Sequence, residues 1–526
     1  MPTITDYMRI YNPWLENGIV PDTLLDKSWR KRPLYAALKE SLKADSIIAL
    51  RGIRRAGKTT LMYQLIDGLL KQTDKFHAIY FSFDSPDVLK LDDPIGVVFE
   101  EYSKLLKLAG MANSLHDLKQ PVYVFFDEIQ KVREFRSYLK IWHDTYKKTV
   151  KISISGSASM LLKSTGTKST ESLFGRVSDY VLHPMRFPEF VTFSGSTSQN
   201  VLDAIEKVPK VDLRQMSIGG IQRLRETLQE NAKLLSPYMK DFDEAYLTYI
   251  TMGGMPAIVT AKDRNLAVRY FNEMRESLLS RIPVDMSEAL KEEVNADTVG
   301  NILIHIAENP GLRLIDKKAA NDLQIDRMRF RKYVDALEKT LLVFEIYKLS
   351  SIRNKLKYRT KLKKAYVEDN SIIIALDWLF TDAIDTAQQM KLAPPLSSAR
   401  TSNTSFLFNK FYNTAINEYA GALTENAVAN FINDIFTTTA IRFYSNHNEV
   451  DFIVMPNLVN KENVLLLEVA SKSNIEEKAK TLNKVEKKFP KSCKIILTTD
   501  SAITDINRKD NVLVIPAWLF MLTLTQ

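Results

Sequence analysis

Residues 46–70, SIIALRGIRRAGKTTLMYQLIDGLL, constrain this chain more than any other stretch. The apolar run Ile47, Ile48, Ala49 and Leu50 reads as a short buried strand, and an amphipathic helix begins at Lys58. Between them stands G-x-x-x-x-G-K-T, from Gly52 to Thr59, in the strand–loop–helix context that gives the pattern its meaning. Gly52 and Gly57 allow the backbone to curl so that successive N–H groups face an anion, and the helix N-terminus adds the positive end of its dipole. Lys58 has the reach to contact β- and γ-phosphates, and the Thr59 hydroxyl is a Mg²⁺ ligand of the right kind. Ala56 and Thr60 complete the loop, while Arg54 and Arg55 either touch phosphate or face solvent. The expected ligand is a nucleoside triphosphate with Mg²⁺.

Further strands follow at residues 77–84, 122–126 and 151–155, with helical spacing between them (Val97, Val98, Phe99, Tyr102, Leu105, Leu106, then Phe135, Tyr138, Leu139, Trp142, Tyr146). Continuous apolar strands alternating with helices predict a parallel sheet covered on both faces, whose ligands bind at the carboxyl ends of its strands. Asp127 and Glu128 end the third strand. Asp127 is placed to hold Mg²⁺ and Glu128 to deprotonate an attacking water; the bland alternative is two acids starting a helix. Ser155, with Ser157 second, is the candidate catalytic hydroxyl at the tip of the next strand, placed to sense the γ-phosphate or the attacking water, although serines in turns are common for structural reasons.

In order and spacing, GIRRAGKTT, VFFDEIQ, ISGSASMLL and SLFGRVSDYVLHPMRFPEF resemble an archaeal and bacterial family of AAA+ ATPases that carry a winged helix and a nuclease-like C-terminal domain. The resemblance implies an α/β fold: a P-loop AAA+ parallel sheet with a helical lid, then a winged helix and a PD-(D/E)xK-like α/β domain. The boundaries implied are an ATPase core with an N-terminal helical arm at 1–190, a lid at 191–285, a winged helix at 286–364 and the nuclease-like domain at 365–526. It also makes Arg176 a candidate arginine finger, acting in its own subunit or in a neighbour of a homo-oligomer, against the alternative of a structural salt bridge.

Charge bears on the middle of the chain. Lys plus Arg number 72 against 63 Asp plus Glu, a net charge of +9, which permits nucleic-acid contact and makes its placement decisive. Residues 327–339 form a basic helix capped by Asp326. Arg353, Lys355, Lys357, Arg359, Lys361 and Lys363 recur at every second position, which puts them on one face of an extended segment. Such a pair of elements suits a DNA backbone; the alternative is an edge strand guarded by lysines.

In the last segment Glu425 on a helix, Asp451 on one strand and Glu468 on the next resemble the metal-binding acids of the PD-(D/E)xK core, implying a second Mg²⁺ site. The lysine expected two residues after Glu468 is Ala470, with Lys472 two further along. Cys493 is the single cysteine, so no intrachain disulfide forms, and no apolar run reaches membrane-spanning length; a cytoplasmic protein is expected. The favoured function is a Mg-dependent ATPase that engages DNA. The alternatives are an ATP-regulated DNA nuclease and a DNA-binding nucleotide switch with little turnover.

Overall fold

The computed structural model describes residues 3–156, 173–195, 197–215, 220–290, 292–349, 351–352, 355–356, 360–376, 406–436, 440–446, 448–455, 464–490, 492–506 and 510–525. The chain divides into two compact units. One comprises Met1–His183 with Lys339–Leu341, and the other Pro184–Glu338 with Leu342–Gln526.

The first unit is built on a five-stranded, wholly parallel sheet in the order β2-β3-β4-β1-β5. Its strands are β1 (Ile47–Arg51), β2 (Ala78–Ser82), β3 (Val122–Asp127), β4 (Val150–Gly156) and β5 (Val177–Val181). Ile47, Ala49, Ile79, Phe81, Val124, Phe126, Ile152 and Ile154 are buried together with Val98, Phe99, Tyr102 and Leu139 of two flanking helices, as continuous apolar strands require. This is the α/β arrangement expected of a P-loop core. The N-terminal arm covers the outer edge of β2. The Asn12 side chain accepts from the Tyr80 N–H (2.6 Å) and donates to the Tyr80 carbonyl (2.8 Å), and the Trp14 indole donates to the Ala78 carbonyl. These bonds use backbone groups that an edge strand leaves open.

The second unit carries an eight-stranded mixed sheet in the order β15-β14-β13-β12-β11-β7-β10-β6. The strands in chain order are β6 (Arg313–Leu314), β7 (Val343–Lys348), β10 (Lys363–Val367), β11 (Ile441–Asn446), β12 (Asn448–Val454), β13 (Leu465–Val469), β14 (Cys493–Thr498) and β15 (Val512–Pro516); the short strands β8 (Ser351–Ile352) and β9 (Lys355–Leu356) pair separately. The boundary expected between residues 364 and 365 falls inside β10, and the sheet runs through it. β10 pairs with β6 and β7, and β7 continues onto β11.

The helices expected to form a lid are present, but their apolar stripes fill this second core. Val201, Leu224, Leu228, Phe242 and Tyr246 are buried with Leu467, Ile495, Trp518 and Phe520. Phe242 stacks on Trp518, whose indole donates to Asp243 at 2.7 Å. An amphipathic stripe shows that a helix is covered, not by what. Gly253 and Gly254, which interrupt these helices, have a steric reason to be glycine: a Cβ on Gly254 would lie 1.8 Å from the Met185 carbonyl oxygen, and Gly253 has φ +77°.

Candidate nucleotide site and a second acidic cluster

The register of the first sheet brings the loop and the acids together. The loop leaves β1 at Arg51 and enters the helix Lys58–Leu70, with Gly57 at φ 96°. Gly52 passes so close to β5 that a Cβ would meet the Leu182 carbonyl at 2.4 Å, which is why this position needs glycine. The Lys58 ammonium donates to the Gly52 and Ile53 carbonyls, both at 3.0 Å. Thr59 donates its hydroxyl to Asp127 Oδ2 at 2.6 Å. Asp127 thus stands one hydrogen bond from the residue after Lys58. Three further donors fix it: the Tyr80 hydroxyl on Oδ2 (2.8 Å), and the Ser155 hydroxyl and Glu128 N–H on Oδ1. Ser155 is fully buried and its hydroxyl goes to Asp127, so it steadies that acid rather than presenting itself to a phosphate. Ser157 lies outside the described residues.

Glu128 adopts a left-handed backbone (φ 52°), a conformation uncommon for a non-glycine residue and often found where a side chain must be aimed. Its Oε2 accepts from Gln130 at 2.6 Å. Burial, then the adjacent Asp127, hold its carboxyl above the usual range, which makes it a stronger base. The donors and acids fit a Mg-triphosphate: N–H groups of a helix N-terminus for phosphate, Thr59 and Asp127 for the metal, and Lys58 for charge.

Arg176 sits in a salt bridge, the alternative weighed for it. It forms a two-pronged ion pair with Asp144 (2.7 and 3.0 Å). Its carbonyl accepts from Ile47 N, at the start of β1, whereas the loop follows that strand's other end. With parallel register this puts Arg176 at the far end of the sheet from Lys58, so it does not complete the site of its own unit. Sequence reasoning missed two neighbours. Arg32 donates to the carbonyls of Ala56 (3.2 Å) and His183 (2.8 Å) and so braces the loop from the segment ahead of it. Tyr80 read as an ordinary strand residue; only its parallel pairing opposite Phe125 shows that its hydroxyl reaches Asp127.

In the second unit Glu425, Asp451 and Glu468 do converge, together with Glu449 and two lysines. Lys364 Nζ lies 3.0 Å from Glu425, 3.0 Å from Glu449 and 3.1 Å from Asp451. Lys478 Nζ lies 2.6 Å from Glu468 and 3.4 Å from Asp451. Burial and the nearby Asp451 raise the Glu425 carboxyl to about 7. Burial also raises Asp451, but Lys364, Glu468, Lys478 and the Val469 N–H together outweigh it and leave that carboxyl below its usual range. Glu468 is held well above the usual range by burial and by Asp451.

The basic strip is partly internal. Arg331 pairs with Glu345 (2.6 Å) and with Asp335 and Glu338, and Lys363 pairs with Asp316 (2.7 Å) and Glu345 (2.8 Å). Lys363 is buried, and its side chain turns to these two acids rather than to solvent. Arg327, Arg329, Lys332, Lys339 and Lys361 are exposed, and Asp326 caps the basic helix by accepting from Met328 N and Arg329 N. Arg353, Lys357 and Arg359 lie outside the described residues. No helix among the described residues is long and apolar enough to cross a membrane.

Three families match parts of the chain: one described as AAA domain at residues 44–191, and two described as domains of unknown function at 243–383 and 420–520. The chain is 25% identical over 363 residues to an uncharacterized protein of Methanocaldococcus jannaschii, covering 67% of this chain and 69% of that one. Among solved structures it is similar to the Aeropyrum pernix ORC2 protein (12% identity, TM-score 0.30, 73% of this chain and 98% of that one). It is also similar to PCH-2 of C. elegans (16% identity, TM-score 0.22, 38% of this chain), of whose length the match spans 56%. The residues that carry the phosphate loop, Asp127 and Glu128 therefore lie within the part of the chain that matches an AAA domain.

Proposed function

We propose that this chain is an ATPase that binds Mg·ATP between the 52–60 loop and Asp127 and hydrolyses it with Glu128 as general base. The observation that carries this reading is the 2.6 Å hydrogen bond from Thr59 to Asp127, which joins the loop to the acid across β4. Loop N–H groups and Lys58 neutralise the triphosphate, and Thr59 and Asp127 hold the metal. Mg²⁺, when bound, supplies charge neutralisation of the β- and γ-phosphate oxygens. Glu128, raised above its usual range, accepts the proton of the attacking water. Tyr80 and Ser155 keep Asp127 from rotating away. Replacing Glu128 by Gln is expected to lower turnover by orders of magnitude while ATP still binds; undiminished hydrolysis would refute the base assignment.

The energy is proposed to act on DNA held by residues 296–367. In that segment a helix (Ala296–Ala307), β6, two helices (Asp316–Asp322 and Arg327–Lys339) and the antiparallel β7 and β10 follow in winged-helix order, which supports the reading. Contact with the phosphate backbone then falls to the exposed Arg327, Arg329, Lys339 and Lys361. A DNA-binding switch with little turnover would bind ATP equally well and hydrolyse none; a steady-state phosphate-release assay separates the two. A homo-oligomer completed by Arg176 requires that residue to leave Asp144. A second reading, an ATP-regulated nuclease, has in its favour the Lys478 ammonium beside Glu468, a stand-in for the lysine absent at Ala470.

A further inference from the structure

We propose that the acidic cluster of the second unit is a closed ionic latch in which the Lys364 ammonium takes the position of a divalent cation, so that this cluster excludes metal and does not cleave DNA. An ammonium has three N–H donors, and Lys364 finds three carboxylates, Glu425, Glu449 and Asp451, at 3.0–3.1 Å. A Mg²⁺ shared by those oxygens would need them at about 2.1 Å in octahedral array, with several waters retained. The nitrogen already stands among them. Lys364 does not swing aside readily, because its backbone sits in β10 opposite both Ile346 and Arg313 and its side chain is buried.

The other side of Asp451 is filled as well. Its Oδ2 accepts from Val469 N at 3.0 Å and faces Lys478, which bonds Glu468. Glu425 is covered by the turn at Gly311, where a Cβ would lie 2.4 Å from Glu425 Oε1, and that oxygen also accepts from the Tyr366 hydroxyl. Among the described residues Glu468 Oε1 finds no hydrogen-bond partner, but Glu468 is fully buried and offers no path to a cation that keeps its water. The acids that resemble a nuclease centre are thus the fastening between β10, β12 and the helix Phe406–Ile435.

The test is Mn²⁺ binding to the full, nucleotide-free chain, read by electron paramagnetic resonance, beside Mn²⁺-dependent thermal shift. The wild-type chain and its Glu425→Gln variant are expected to bind Mn²⁺ alike and to show no Mn²⁺-dependent shift. Lys364→Ala is expected to melt lower, to bind one Mn²⁺ roughly tenfold or more tighter than the parent, and to regain stability with it; adding Glu425→Gln removes that site. A wild-type Mn²⁺ site lost on Glu425→Gln, or metal-dependent cleavage of plasmid DNA lost in the same variant, overturns the proposal. So does a folded Lys364→Ala that gains no metal. Should Lys364→Ala not fold, Lys364→Gln and the wild-type titration decide alone. ATP is absent throughout, so the outcome does not depend on the ATPase reading.

Discussion

Two buried aspartates, Asp127 and Asp451, stand on strands of the two sheets, and both belong to acid patterns that suggest Mg²⁺. Their surroundings differ in kind. Asp127 accepts from the hydroxyls of Thr59, Tyr80 and Ser155 and from one N–H, neutral donors that fix its direction without cancelling its charge. Asp451 lies between the ammonium groups of Lys364 and Lys478. A carboxylate held by neutral donors retains the charge that a metal needs, whereas one flanked by lysines has been given its counter-ions by the fold. The spacing of acids along a chain does not distinguish the two; the donors around them do.

The contrast is broken most directly at the loop. Lys58→Ala is expected to lower ATP turnover by about two to three orders of magnitude, as loss of a group that stabilises transition-state charge does; the same change should leave plasmid DNA untouched in either form. Glu128→Gln is expected to cost about 10²- to 10⁴-fold in turnover with ATP binding retained, measured by single-turnover kinetics beside equilibrium binding.

The latch makes its own demand. Removing Lys364 takes away the ammonium shared by Glu425, Glu449 and Asp451, leaving them their weaker partners, and is expected to cost up to about 3–5 kcal/mol in denaturant unfolding of the second unit.

Titration sharpens the comparison with opposite signs. Glu425, raised to about 7, binds its proton more tightly folded than unfolded. Its contribution therefore favours the folded state below the ordinary glutamate range and is lost as pH rises through about 7; Glu425→Gln should flatten that part of the stability–pH curve. As the proposed base Glu128 acts only when ionised, so its raised carboxyl is expected to shift the acid limb of turnover above the ordinary glutamate value. Activity should thus fall with acid while the Glu425 contribution to stability rises. The smallest effect expected is that of Tyr80→Phe, roughly three- to tenfold in the Mg²⁺ concentration needed for half-maximal turnover, since it removes one of several hydrogen bonds that orient Asp127.

The first sheet and the loop were legible in the sequence because the signals are local: an apolar run, two glycines and a lysine, and a strand ending in two acids. Ser155 does lie near the end of β4, but the direction of its hydroxyl depends on the register of β4 against β3. The arginine-finger role of Arg176 rests on resemblance, and no local signal announces its pairing with Asp144, 32 residues away. Lys364 reaches Asp451 across 87 residues of chain and Glu425 across 61, and no pattern in either segment announces the meeting. Lys478 lies in a Lys/Glu-rich helical stretch, residues 475–488, whose composition names no partner for any one of its charges. The alternation at 353–363 was plain, yet period two says only that residues share a face, and for Lys363 that face turns to Asp316 and Glu345. The segment between residues 364 and 365 carried no signal that one sheet continues through it.

The central claim is that Mg·ATP docks where Thr59 meets Asp127. Calorimetric titration of the full chain with ATP, with and without Mg²⁺, beside the Asp127→Asn variant tests it most directly. Binding of one ATP per chain, strengthened by Mg²⁺ in the wild type and indifferent to it in Asp127→Asn, is the expected result; no heat of ATP binding, or a Mg²⁺ effect that survives the substitution, would contradict it.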